Sequence, residues 1–185
     1  MHGPRIDDEK RIALLIDADN APASKIDVIL AEIARHGVAN VRRAYGNWKN
    51  QHLSGWEKVL HEYAIRPIQQ FAYSTGKNAS DMAMVIDAMD LMYARNLDGF
   101  AIVSSDADFT PLVMRLRNDG YGVYGFGQEK TPAPFVKACS TFLYLEQLRA
   151  LDEPDHAGTG KPRTSAELQA DRELVQLLRN AVAAA

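Results

Sequence analysis

The chain has 185 residues, 46% of them apolar, which is enough for one sizeable core and a tail but not for two full domains. Its 21 Lys and Arg against 24 Asp and Glu leave a formal charge of -3. That excludes a protein that grips nucleic acid through a bulk positive field, while leaving nucleic acid open as a substrate met by a modest basic rim. The single Cys139 excludes an intramolecular disulfide and lacks the paired spacing of a zinc site, so it reads as a small buried hydrophobe in a cytoplasmic protein. The polar tail 1–10 has no apolar core of a signal peptide. No run of about 18 apolar residues is present to span a membrane.

In chain order, Arg11 to Ile16 is almost continuously apolar, the mark of a strand buried on both faces of a parallel sheet. Pro22 opens a helix carrying Ile26, Ile29, Leu30 and Ile33 that ends near Gly37. The alternation then repeats. Strands are predicted at Val38 to Tyr45, Ile65 to Phe71, Phe100 to Val103, Tyr121 to Phe126 and Thr141 to Leu145. Helices are predicted at Gly55 to Tyr63, Ala79 to Arg95, Asp108 to Asn118 and Pro134 to Ala138. Such alternation means an α/β fold, a three-layer α/β/α sandwich with a mainly parallel central sheet, over 11–150. Met82, Met84, Met89 and Met92 on the longest helix read as core, and Trp56 as a residue packing its helix on the sheet. The stretch 151–163, with Pro154, Gly158, Gly160 and Pro162, reads as a linker. Residues 164–185 read as an amphipathic helix, with Thr164 and Glu167 at capping-box spacing.

Two of the predicted strands end in carboxylates. Ile12–Ile16 runs into Asp17-Ala18-Asp19-Asn20, and Ile102–Val103 into Ser104-Ser105-Asp106-Ala107-Asp108. In an open parallel sheet the crevice beyond the strand carboxyl ends is where ligands sit, so the acids face a cleft, and if the two strands are adjacent the acids repel one another unless a cation lies between them. Asp81 opens the long helix, where a carboxylate also complements the helix dipole. Asp108 has the ordinary explanation of an N-cap, which serves neither Asp17 nor Asp106. Hard cations such as Mg²⁺ are held by one or two carboxylates with water and phosphate oxygens, and phosphodiester hydrolysis at such a site needs no His or Cys. The five His are scattered without ligand spacing and read as surface or packing residues. Asp87 and Asp90 point away from the face of Asp81. Trp48, in the loop Gly46–His52, is of the type that stacks on unpaired bases. Lys77 is placed to meet a phosphate, and Arg42, Arg43 and Lys130 are further candidates for the basic rim. Ser105 is a candidate for orienting the acids.

The segments Asp17 to Asn20, Gly76 to Asp81 and Ser104 to Phe109 resemble the NYN domain family, a branch of the PIN-like nucleases, and its LabA-like and limkain-type bacterial members in particular. Tyr124-Gly125-Phe126-Gly127 followed by Lys130-Thr131-Pro132 is similar to the same group. The resemblance covers about Arg11 to Leu145. It implies a metal-dependent ribonuclease using Mg²⁺ or Mn²⁺, with Asp17, Asp81 and Asp106 as metal-binding catalytic acids and Asn20 and Asp108 in support. RNA is then the expected partner, met by Lys77 and Trp48. The run Leu174 to Val182 is similar to the first helix of the LOTUS (OST-HTH) domain, which implies that the natural protein continues past Ala185 and that the helix here pairs in a homodimer.

Two other readings compete. Asp17-x-Asp19 after an apolar strand resembles the nucleophile motif of haloacid-dehalogenase phosphatases, although Pro22 leaves no room for the flap expected there. A non-catalytic RNA-binding or scaffold module of the same fold is the other, and retention of all three acids weighs against it.

Overall fold

The structure is a computed structural model, and it describes residues 9–71, 79–94 and 96–148. The chain divides into two units, Met1–Leu151 and Asp152–Ala185, and the fold set out below is that of the first. The linker, the C-terminal helix with its dimer and Lys77 all lie outside the described residues.

Six strands, β1 (Arg11–Asp17), β2 (Val38–Gly46), β3 (Arg66–Gln69), β4 (Gly99–Val103), β5 (Gly122–Gly127) and β6 (Thr141–Tyr144), form one sheet in the order β3-β2-β1-β4-β5-β6. All neighbours pair parallel. Among the described residues the α-helices are α1 (Ile26–Ala34), α2 (Trp56–Glu62), α3 (Ala79–Tyr93), α4 (Thr110–Asn118) and α5 (Ala133–Ala138). From β1 the chain steps outward through α1 and α2 to β3, and α3 then carries it back across the sheet to β4, on the other side of β1. Because parallel crossovers are right-handed, that reversal puts the later helices on the opposite face.

The two cores follow from this. On one face Ile12, Leu14 and Ile16 meet Ile26, Ile29, Ile33 and Trp56, and on the other Ala13 and Leu15 meet Met84, Ala88, Leu112 and Val113. Residues Ile12 to Ile16 are all at most 1% exposed, and the Ile and Leu side chains among them are each worth about 1.5–3 kcal/mol of transfer free energy. β1 is therefore the spine on which the sheet is ordered, as its unbroken apolar run predicts. One part of the helix reading changes. Met84 and Met92 are buried in the core, but Met82 is 61% exposed and Ile86 57%, so α3 has a solvent face and is not apolar core around most of its girth. Among the described residues no helix is long and apolar enough to cross a membrane.

Glycine is required where β5 ends. A Cβ on Gly127 would stand 2.7 Å from the Ser104 backbone oxygen, 2.6 Å from Thr131 Oγ1 and 2.9 Å from the Phe142 ring. The first of these is main chain and cannot swing aside. Gly127→Ala should therefore lower stability by about 1–3 kcal/mol, read as a reduced denaturant midpoint at unchanged slope; a midpoint equal to wild type would contradict the packing described.

Candidate metal centre

The sheet order reverses between β1 and β4, and the crevice at their carboxyl ends is the place where this topology holds ligands. Ile16 pairs with Val103, so Asp17 and Ser104 leave the sheet side by side. Asp17 is 1% exposed and Ser104 2%. One carboxylate oxygen of Asp17, Oδ2, accepts from Ser104 Oγ at 2.9 Å and from Asn20 Nδ2 at 2.9 Å. The other, Oδ1, is buried and has no hydrogen-bond partner among the described residues. A buried acceptor left bare is costly, by about 1–3 kcal/mol, and its retention needs a reason.

Ser104 links two acids. Its Oγ donates to Asp17 and accepts from the backbone N–H of Asp106 at 3.1 Å. Ser105 does not share this work, for its Oγ accepts from Gln128 N at 2.9 Å and so ties the loop after β5 to the end of β4. Asp106 Oδ1 accepts from Asp108 N at 2.8 Å and caps the 3₁₀ turn Ala107–Phe109. The cap assigned to Asp108 thus belongs to Asp106, because the turn begins two residues earlier than the periodic apolar pattern, and Asp108 is exposed in the first turn.

Asp81 stands in the first turn of α3. Partial burial, and then the negative charges of Asp17, Asp106, Asp19 and Asp108, push its carboxyl up to about 6. Burial also raises Asp17, opposed by its bonds to Asn20 and Ser104 and assisted by Asp19 and Asp106. The fold therefore concentrates five carboxylates at one edge. Asp19 was legible only as half of a phosphatase-like pair. It accepts from Ser80 Oγ at 2.9 Å and lies 3.7 Å from His52 Nε2, which gives His52 a place beside the acids that its isolated position in the sequence does not reveal.

The acids do not form a closed cage, since among the described residues no three His, Cys, Asp or Glu side chains converge as metal ligands. Their chemistry nevertheless fits a hard cation such as Mg²⁺, which keeps several waters and takes only one or two carboxylates. The bare Asp17 Oδ1 and the crowding of like charge are what such an ion would relieve.

A stability prediction follows from Asp81. Its native carboxyl keeps a proton up to about pH 6, whereas an unfolded Asp releases it near pH 4, at about 3.9. The native chain therefore loses stability as pH rises across that window. In metal-free buffer Asp81→Asn should be about 1 kcal/mol more stable than wild type above pH 7, after allowance for solvent screening, and equal to it below pH 4. Thermal denaturation in EDTA at both pH values reads this directly, and a variant less stable than wild type at neutral pH would contradict it.

Of the other candidates for RNA contact, the two arginines are engaged elsewhere. Arg42 donates to the carbonyls of Ala39 and Tyr63, and Arg43 pairs with Asp87. Both guanidinium groups are thereby removed from a basic rim. Trp48 is partly buried against the core and its Nε1 donates to Ile68 O at 3.0 Å, while Trp56 is buried as expected. Lys130 is exposed.

Comparison with known proteins agrees with this architecture. The chain is 32% identical over 125 residues to Uncharacterized protein MJ0482 of Methanocaldococcus jannaschii, an alignment covering 65% of this chain and 49% of that protein. The chain thus spans about half the length of the curated relative it matches. A protein of unknown function from Vibrio parahaemolyticus, VPA0982, has the same fold, with a TM-score of 0.60 at 17% identity over 76% of this chain and 96% of that one. The family model described as NYN domain matches residues 11–146, from the first residue of β1 to just past β6, and the chain belongs to that family.

Proposed function

We propose that this chain is a metal-dependent endoribonuclease that hydrolyses phosphodiester bonds of single-stranded RNA. Membership of a family in the PIN-like nuclease superfamily supports a nuclease. The observation that carries the reading is Asp17, buried at the crossover point with one oxygen doubly hydrogen-bonded and the other without a partner among the described residues, beside four further carboxylates.

In this reading Asp17, Asp81 and Asp106 hold Mg²⁺ or Mn²⁺, with Asn20 and Asp108 in support. When bound, the cation supplies a water made acidic enough to attack at neutral pH and a positive charge for the phosphate oxygens. The chain's own residues prepare the place. Ser104 and Asn20 fix the Asp17 carboxylate in one orientation, and Ser104 also holds the start of the turn that carries Asp106. Asp106 in turn sets Asp108 at the open side of the crevice. The NYN family match favours this reading over a phosphatase of the covalent type. Ser105, by holding Gln128, keeps the β5 loop at the rim of the site.

Incubation of labelled single-stranded RNA with the chain should give internal cuts in Mg²⁺ or Mn²⁺ that stop in EDTA. Undiminished cutting in EDTA would overturn the metal-dependent reading, and intact RNA under all metals would overturn the enzyme.

A further inference from the structure

We infer that Phe71 and Lys49, on the β2–β3 side of the crevice, form a subsite in which an unpaired RNA base stacks and its phosphate is held, so that the single strand leaves the acids in that direction. This inference rests on the hydrolytic reading for its ligand. Its geometry is independent of it.

Phe71 is 50% exposed, and Lys49 Nζ lies 5.0 Å from its ring centroid. A large aromatic ring left half in water beside an ammonium group is the pairing with which single-strand binders take a base and the adjoining phosphate. Its position follows from the register. Asp17 pairs with Tyr45 and Tyr45 with Ile68, so Ile68 is level with Asp17 two strand spacings away, roughly 10 Å. Phe71 comes three residues later, beyond the same carboxyl edge.

The loop after β2 is held rigidly against that edge. Gln69 accepts from Trp48 N at 3.0 Å and donates to Asn47 Oδ1 at 3.0 Å, and Gln70 N donates to Gly46 O at 3.1 Å. The indole Nε1 of Trp48 is fastened to Ile68. The indole that the sequence offers as a base platform thus spends its N–H on β3, whereas the Phe71 ring is left half exposed. The same loop reaches the acids at its far end through His52, whose side chain is 59% exposed and 3.7 Å from Asp19.

Charge decides the direction. The segment Gly46 to Leu53 contains Lys49 and His52 and no acid. On the β5–β6 side, Glu129 and Glu146 are joined by a bond from Glu129 N to Glu146 Oε2 at 3.1 Å, both exposed where a phosphate would pass. Exposed Lys130 beside Glu129 offsets one of these two charges, which leaves that side net negative where the β2–β3 loop is positive, so a polyanion is repelled there more.

The test is binding of a short labelled single-stranded RNA to the full chain in EDTA, followed by fluorescence anisotropy, beside the same strand annealed to its complement. Wild type should prefer the single strand. Phe71→Ala and Lys49→Ala should each weaken that binding roughly tenfold, whereas Phe71→Trp should keep it, all with unchanged melting temperature. Wild-type affinity in Phe71→Ala, equal affinity for duplex, or no binding by wild type would each overturn the subsite. Cleavage in Mg²⁺ with the same variants separates the two claims. If wild type never cuts but Phe71→Ala loses binding, hydrolysis fails and the subsite stands; if Phe71→Ala binds and cuts as wild type does, the subsite fails and hydrolysis stands.

Discussion

Asp17→Asn and Asp106→Asn should each lower divalent-dependent cleavage of single-stranded RNA by about three orders of magnitude, the scale of the several kcal/mol of charge stabilisation that a bound cation supplies. Asparagine is the informative replacement at both positions because it removes charge and little else. At Asp17 an amide oxygen can still accept from Ser104 and Asn20. At Asp106 it can still cap the turn through Asp108 N, where Asn is as good a cap as Asp, whereas Ala would cost about 1 kcal/mol of cap energy as well. Melting temperature supplies a readout apart from activity. Mg²⁺ or Mn²⁺ should raise that of wild type, since an ion that binds only the native state stabilises it by mass action. The same ions should leave Asp17→Asn unmoved. If Asp17→Asn cuts at the wild-type rate, the carboxylates are not the catalytic acids. If it melts well below wild type in metal-free buffer, Asp17 is structural.

The parts of this molecule that were legible in the sequence are those where burial imposes a pattern over several residues. Ile12–Ile16 and Phe100–Val103 are buried on both faces and read as unbroken apolar runs, so the strands, their alternation with helices and the acids that end them could be placed. Sheet order leaves no such trace. That β4 lies beside β1, which is what brings Asp106 to Asp17, came from the fold. Just past a strand end the period of two no longer says which way a side chain points. The sequence reading favours Ser105, whereas the serine that touches the acids is Ser104. Asp19 was hidden for the same reason, although an acid two residues after a strand-ending Asp was the signal available. Met82 shows the converse limit: an apolar helix position reads as core, yet α3 turns it to solvent at the sheet's edge.

Asp87→Ala should destabilise the chain by about 2–3 kcal/mol. Asp87 on α3 receives the Tyr45 hydroxyl on one oxygen and pairs with the Arg43 guanidinium on the other, both from β2. Tyr45 is 0% exposed, and burial followed by the bond to Asp87 holds its hydroxyl far above the ordinary tyrosine range, so it remains a donor. Removing the carboxylate leaves that donor and a cation without an acceptor. The arginine and aspartate side chains are 24% and 21% exposed, so water recovers part of the loss and the cost falls below that of a fully buried pair. Tyr45→Phe removes one donor and keeps the ion pair, and should cost about 1 kcal/mol. The double variant should cost less than the two added, because the groups share one network. Since α3 carries Ser80 and Asp81 in its first turn, a helix less firmly tied to β2 should also reduce cleavage in Asp87→Ala. Denaturant unfolding of the three variants decides the matter: an Asp87→Ala loss under about 0.5 kcal/mol, the size of an ordinary surface substitution, would show that the pair does not anchor the helix.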